Sequence, residues 1–330
     1  MSDYDKLGPL GLRIEELGLE RRELPISDEF KRVTTTVVLR GAGETGEGED
    51  VTYQADQHDG FPTPDLTSAT TVDEYSRLLE PLELPDYRRW AFESAALDLA
   101  LRQAGLSLGD AVGRAYRPVR FVVSTRADIR AWLERQPSLE FKVDPMSDWS
   151  REQMEELAAT GRVRVADLKG YYVGTPVDQG ADPRLYKDVV EVFDDAVIED
   201  ARFTDETRPI LVAAQHRLSF DAPIHSVADI EALEIEPRFL NVKPSRFGTL
   251  RRLFDALAYA HEREIRMYGG GQFELGPGRS QIQALASLYY PDSPNDTAPS
   301  VYNEPGVRDG LPASPLAPPA TPRGLSFAGG

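Results

Sequence analysis

Five ionisable residues, Lys142, Asp167, Glu199, Asp221 and Lys243, each close a short apolar or alternating run, and this arrangement constrains the fold more than any other feature of the chain. The runs are LEFK, RVRVAD, AVIE, RLSFD and FLNVK. The steps from 142 to 167, 167 to 199, 199 to 221 and 221 to 243 are 25, 32, 22 and 22 residues. A (β/α)8 barrel of ~250 residues uses about 31 per βα unit, and fewer where its loops are short. Side chains at the carboxyl ends of neighbouring barrel strands converge on one mouth. Three acids flanked by two amines in such a mouth describe a divalent-metal site with two proton carriers.

The rest of the chain is read around that frame. From Val119 the pattern alternates between strand and helix, which implies a parallel sheet. VRFVVS (119–124) is the first strand and LEFKV (139–143) the second, with ADIRAWLERQ (127–136) between them. SREQMEELAAT (150–160), PRLYKDVVEVFDD (183–195), SVADIEAL (226–233), TLRRLFDALAYAHERE (249–264) and RSQIQALASLYY (279–290) are further helices, and IRMYGGG (265–271) a further strand. TDETRPILVAAQHR reads as a helix, because a strand at ILVAA (210–214) leaves too few residues after Glu199 for a crossover. PNDTAPSVYN (294–303) is expected to carry the eighth strand.

Ahead of the barrel, TTTVVLR (34–40) reads as a strand, GAGETGEGED (41–50) as a glycine-rich turn and VTYQA (51–55) as the returning strand. Tyr87 to Leu106 switches to helical spacing, with Gly105 as a stop. The fold class is therefore α/β. A (β/α)8-type (TIM) barrel, complete or modified, spans 116–303. An α+β capping domain spans 1–115. The tail, 304–330, is rich in proline and glycine. Disorder is its compositional default, and Leu311, Leu316, Leu325 and Phe327 offer the alternative that it returns to the capping domain.

Composition excludes several functions. Net charge is −18, with 55 acids against 37 bases, which disfavours nucleic acid and anionic membranes as partners. Cysteine is absent, so disulfides, thiolate metal sites and cysteine nucleophiles are excluded. No apolar run approaches the ~20 residues of a membrane span. MSDYDKLGPL has neither a basic n-region nor an apolar h-region, so a cytoplasmic protein is expected.

Carboxylates are hard oxygen ligands, and Mg²⁺ binds a few of them while keeping waters for substrate oxygens. Lys142 and Lys243 each end an apolar strand. Desolvation and a like charge lower a lysine pKa toward neutrality and make it a usable base. The competing reading is that both lysines salt-bridge the acids. Asn241 and Lys243 alternate onto one strand face, as do Glu140 and Lys142. Arg246 follows Lys243 on the mouth side, where it could clamp a substrate anion. Gly269, Gly270 and Gly271 permit close backbone approach to a ligand, and Gln272 and Glu274 follow them toward the mouth.

Four segments, GAGETGEGEDVTY, RRWAFESAALDLALRQAGLSLGDAVG, FLNVKPSRFGTL and GGGQFELGPGRSQIQALAS, in that order, resemble the enolase superfamily in the branch of the muconate lactonizing enzymes, dipeptide epimerases and o-succinylbenzoate synthases. GAGETGEGEDVTY resembles the glycine-rich turn of that family's capping domain, and RRWAFESAALDLALRQAGLSLGDAVG its helix leading into the barrel. FLNVKPSRFGTL resembles the sixth-strand lysine motif, and GGGQFELGPGRSQIQALAS the seventh-strand motif. The resemblance implies Mg²⁺ on Asp167, Glu199 and Asp221, with Lys142 and Lys243 as acid–base groups. Asn241, Arg246, Gly270, Gln272 and Glu274 would face the substrate.

It also implies a lyase or isomerase that removes a proton α to a carboxylate through an enediolate, acting on a small carboxylic acid, and a homo-oligomer. Three positions depart from the pattern. Glu140 stands where the K-x-K motif has its first lysine. Lys169 stands where the family has Asn in Asp-x-Asn. Ala222 replaces the Glu that follows Asp221. Lys169 could be a third proton carrier, a substrate clamp or an ammonium in place of the metal. The alternative reading is therefore a metal-free relative that binds a small anion or serves as a scaffold.

Overall fold

The computed structural model describes residues 2–27, 30–60, 63–125, 128–175, 177–303 and 306–327. Strands β1 (Glu16–Pro25), β2 (Lys31–Gly41) and β3 (Glu44–Asp50) make an antiparallel sheet in that order. Strands β4 (Val123–Thr125), β5 (Phe141–Val143), β6 (Val163–Asp167), β7 (Val197–Glu199), β8 (Leu218–Phe220), β9 (Phe239–Val242) and β10 (Arg266–Gly269) make a parallel sheet in sequential order. A sheet that curls in sequential order, each crossover helical, is a (β/α)-type barrel, and the antiparallel sheet with its helix is a capping domain.

The capping sheet corrects the sequence reading. ETGEGED, expected as a turn, is strand β3, and VTYQA (51–55) is not a strand. The turn is confined to Ala42 and Gly43, with φ 52° and 79°, a hand that matches strand twist. The other glycines serve packing. A Cβ on Gly46 would lie 2.3 Å from Leu99 N, and one on Gly48 2.1 Å from Ala91 O. Both contacts are with the helix Asp86–Gln103, whose residues from Trp90 to Leu101 are buried. Glycine thus lets a strand lie directly against a helix backbone. β1 escaped the reading because ELGLERRELP is a charged edge strand with no buried residue.

In the barrel, Val165, Val197 and Tyr268 form a small interior cluster with Phe239, while the outer faces of the strands pack on the helices. TDETRPILVAAQHR contains the helix Arg208–Ala213, as expected, after reciprocal bonds between Thr204 and Thr207 at 2.8 and 3.2 Å. The helix expected over 127–136 is Ile129–Arg135; Ala127 lies outside the described residues. The first strand is shorter than VRFVVS, since Val119 and Phe121 make only single bridges.

The eighth strand shrinks to two bridge residues. Asn295 bridges Phe121, and Asp296 bridges Gly270. Pro294 and Pro299 flank them and cannot donate to a ladder. The buried Asn295 side chain substitutes for the missing backbone. Its Oδ1 accepts from Gly269 N at 2.7 Å, and its Nδ2 donates to Arg120 O at 2.9 Å and Tyr290 O at 3.1 Å.

The tail runs from the barrel to the capping helix. Leu316 exchanges two backbone bonds with Val119, at 2.8 and 2.9 Å. Leu325 N donates to the buried Asp98 at 2.7 Å, and Phe327 N to Ser280 Oγ at 2.9 Å. Its residues 304–305 and 328–330 lie outside the described residues. Among the described residues no helix is long and apolar enough to cross a membrane.

Candidate active site

Parallel strands place their last inward residues at one level. Asp167 and Glu199 are the final residues of β6 and β7 and pair directly in register. Asp221 and Lys243 stand one residue beyond β8 and β9. Lys142 occupies the middle of β5. Asp167, Glu199 and Asp221 are 0% exposed, Lys142 1% and Lys243 5%, so all five share a covered interior.

The sequence reading left open whether the lysines are free amines or ion-paired. Here they are ion-paired. Lys142 Nζ lies 2.9 Å from Asp167 Oδ2, 2.6 Å from Glu199 Oε1 and 3.6 Å from Asp296 Oδ2. Lys243 Nζ lies 2.7 Å from Asp221 Oδ2. Lys169 donates to the Oδ2 of Asp167 and lies 3.7 Å from Asp144 Oδ1. Arg246 Nη2 lies 3.4 Å from Asp221 Oδ2 and donates to Tyr172 Oη at 2.7 Å. Tyr172 in turn donates to Asp221 Oδ2 at 2.9 Å. Glu199 also receives Asn241 Nδ2 at 3.0 Å and the Tyr268 hydroxyl at 2.6 Å.

This pairing sets the charges. Burial alone would lower Lys142, but Asp167, Glu199 and Asp296 hold it well above the usual lysine range. Burial opposes the charge on Lys243 and Lys169 too, and Asp221 and Asp167 respectively raise both. The expected lowering of a lysine pKa is therefore absent in this closed arrangement. Burial pushes Asp167 up, but Lys142 and Lys169 outweigh it and bring the group well below the carboxylate range. Arg246 and Lys243 do the same for Asp221. Glu199 moves the other way, to about 8, through burial and the charge of Asp167. Asp200 is pushed up to about 7, by burial and then by Asp221.

Asp200 is a site residue that the sequence reading missed, although it directly follows Glu199. It is fully buried at φ 51°, and its Oδ1 accepts from Asp221 N at 2.8 Å. The carboxylates of Asp167, Glu199 and Asp200 each offer an oxygen within 4.8 Å of the other two. Asp221 Oδ1 is buried and accepts no hydrogen bond among the described residues. Asp167, Glu199 and Asp200 are an all-oxygen set that fits a hard divalent cation such as Mg²⁺; Asp221, the third ligand expected from the sequence, is not within that group, although its Oδ1 is the unsatisfied oxygen. Tyr172 and Tyr268 were also missed. Tyr268 shares an inward face with Gly270 by alternation, which was the available signal.

Other singled-out residues have identifiable partners. Gly270 is required by packing, since a Cβ there would lie 2.3 Å from Asn241 Oδ1. Gln272, with its amide oxygen turned toward them, accepts from Tyr87 at 2.8 Å and from Arg246 Nε at 3.0 Å. Glu274 does not join the cluster. Phe273 turns the chain at φ 58°, and Glu274 pairs with Arg279 at 2.9 Å. Glu140 is held by Arg120 at 2.6 Å and Arg164 at 2.7 Å, which accounts for an acid at that position.

The capping domain fixes the loop that carries Gln272. The fully buried Arg32 donates to Thr52 O and Val51 O at 2.7 Å, Gln272 O at 2.8 Å and Phe273 O at 3.0 Å. Glu49 accepts from Leu275, Gly276 and Gly278 N at 2.7, 2.9 and 2.9 Å, at the start of the helix Gly278–Tyr289.

Two family models match the chain. Domain of unknown function (DUF8230) N-terminal domain covers residues 5–111, and the DUF8230 C-terminal domain covers residues 115–304. Among curated proteins, an o-succinylbenzoate synthase of Geobacillus stearothermophilus is 27% identical over 251 residues. That alignment takes in 70% of this chain and only 64% of the relative's length. Among solved structures, a muconate cycloisomerase from Pseudomonas fluorescens superposes with a TM-score of 0.70 at 17% identity, covering 96% of both chains.

An enolase superfamily member from Listeria innocua gives 0.68 at 18% identity, covering 95% of this chain and 94% of its own. A dipeptide epimerase from Methylococcus capsulatus, complexed with Mg ion, gives 0.63 at 19% identity, covering 96% and 99%. At these identities the likeness is one of fold.

Proposed function

The chain belongs to the DUF8230 family and has the enolase-superfamily fold, and from that premise we propose that it is a lyase or isomerase that removes a proton α to the carboxylate of a small acid. The observation that carries this reading is the convergence of Lys142 and Lys243, from β5 and from the end of β9, on one buried group of carboxylates. Two amines on different strands can address two faces of a bound carbon acid. One can take the proton, and the other can return it or assist a leaving group.

Both lysines are protonated in the closed site, so one must pass its proton on before it acts as a base. Asp167, Glu199 and Asp200, with Asp221, would hold Mg²⁺. Bound there, Mg²⁺ would supply Lewis-acid stabilisation of an enediolate. Arg246, Asn241 and Gln272 would orient the substrate, with Gly270 keeping the wall close. Lys169 would clamp a carboxylate or serve as a third proton carrier. The negative surface argues against nucleic-acid partners, and a homo-oligomer is proposed from the fold resemblance alone.

The test is exchange of α-protons with D2O across a panel of carboxylic acids, with and without Mg²⁺. Exchange that requires Mg²⁺ and falls at least about 100-fold in Lys142→Met or Lys243→Met is expected. Absence of exchange on every acid, together with a melting temperature indifferent to Mg²⁺, would reject the proposal.

A second reading has its own support. Asp167, Glu199 and Asp221 each already touch an ammonium group. Three buried cations, Lys142, Lys243 and Arg246, together with the partly exposed Lys169, can neutralise the acids without a metal. In that reading the protein binds a small anion, or acts as a scaffold, and the indifferent outcome is its signature.

A further inference from the structure

We propose that Lys169 is a tethered cation that competes with a divalent ion for Asp167 and thereby sets the affinity of the site for that ion. The inference rests on the metal reading given above. It starts from the backbone. Leu168 N donates to Glu199 O at 2.9 Å, and Gly170 N to Asp200 O at 2.8 Å, so the turn is pinned on both sides of Lys169. A Cβ on Gly170 would stand 2.6 Å from Tyr186 Oη, so the chain has no wider path there. Lys169 takes φ 52° and doubles back on the residue two before it. Its backbone N donates to Asp167 Oδ1 at 3.1 Å, and its ammonium to Oδ2. One residue thus covers both oxygens of Asp167.

Asp167 bears a second ammonium, Lys142, but the two differ in their freedom to leave. The Lys142 side chain is 1% exposed and wedged among Asp167, Glu199 and Asp296. That of Lys169 is 13% exposed, with Asp144 Oδ1 at 3.7 Å and the Tyr172 ring at 5.3 Å. A divalent ion arriving at Asp167 repels both ammonium groups, and Lys169, the more exposed of the two and with Asp144 beside it, is the one with room to withdraw. Lys169 therefore has two berths, Asp167 when the ion is absent and Asp144 when it is present.

The experiment is a Mg²⁺ titration of the full chain, read by calorimetry and by melting temperature, on the unaltered protein, K169M, K169R and D144N. K169M is expected to bind Mg²⁺ about tenfold tighter or more. K169R should keep the original affinity, and D144N should bind more weakly. Equal affinities in the unaltered protein and K169M overturn the inference while leaving the metal reading intact. Binding by K169M alone upholds the inference and makes the unaltered chain metal-free. Failure of both to bind up to tens of millimolar overturns the inference and the metal reading together. If K169M does not fold, K169Q carries the same comparison.

Discussion

At the seam between the capping sheet and the barrel, buried charges are met by backbone groups; at the barrel mouth they are met by one another. Arg32 spends its guanidinium on four carbonyls, and Glu49 its carboxylate on three amides. Backbone groups cannot leave, so these charges act as fixed fasteners. Lys142, Lys169, Lys243 and Arg246 instead face Asp167, Glu199 and Asp221, and each partner is a side chain that another ion could replace. Burial is the same in both regions, but only the second arrangement is exchangeable. An exchangeable charge network is what a ligand site requires.

Substitutions can break this comparison. The largest effect is expected at the seam. Arg32→Met takes a donor from four carbonyls, of which only Thr52 O keeps another among the described residues, His58 Nε2 at 3.0 Å, and should lower unfolding stability by about 3–5 kcal/mol in urea titrations. Neither Mg²⁺ nor a carboxylate should recover it. Lys142→Met leaves Glu199 without its ammonium partner and Asp167 with Lys169 alone, and should lose about 3 kcal/mol when divalent ions are absent. Here Mg²⁺ should restore part of the loss, read as a larger rise in melting temperature than in the unaltered protein. If both variants respond alike to Mg²⁺, the distinction between fixed and exchangeable charge fails.

Gly48→Ala should lower stability by about 1–3 kcal/mol through overpacking against Ala91, with the Mg²⁺ response untouched. The last effect is a slope. Glu199 keeps its proton up to about 8 in the folded chain and releases it near ~4.3 when unfolded. Between those values the folded state binds more protons, so stability falls as pH rises. Glu199→Gln should flatten that decline by at most about 1.4 kcal/mol per pH unit, measured without divalent ions. A steeper decline in the variant would contradict the assignment.

The barrel was legible because its strand ends carry charge. Lys142, Asp167, Glu199, Asp221 and Lys243 mark five strands by chemistry as well as by apolar pattern, and helices fill the gaps between them. The capping sheet was less legible because glycine has two uses. In GAGETGEGED only Ala42 and Gly43 turn the chain, whereas Gly46 and Gly48 admit a helix backbone that no local pattern announces. Asp200 and Tyr172 depend on which neighbours the barrel brings to them, and neighbours distant in sequence leave no periodic trace. Glu274 is paired with Arg279 beyond a positive φ at Phe273, a turn that no sequence pattern announces. The pairing of the lysines follows from counting their partners in space, which spacing alone does not supply.

The Asn295 amide has a consequence for how the cylinder comes apart. Elsewhere around the wall neighbouring strands share a ladder, but between β10 and β4 the circuit runs through single bridges and one side chain. A seam held by a few separate bonds loosens more readily than a ladder, without any helix having to melt. The Gly269 amide should therefore exchange its hydrogen with solvent sooner than the amides of β6 and β7. The first gap to open in the native protein would then lie beside Asp296, at the edge of the charge cluster.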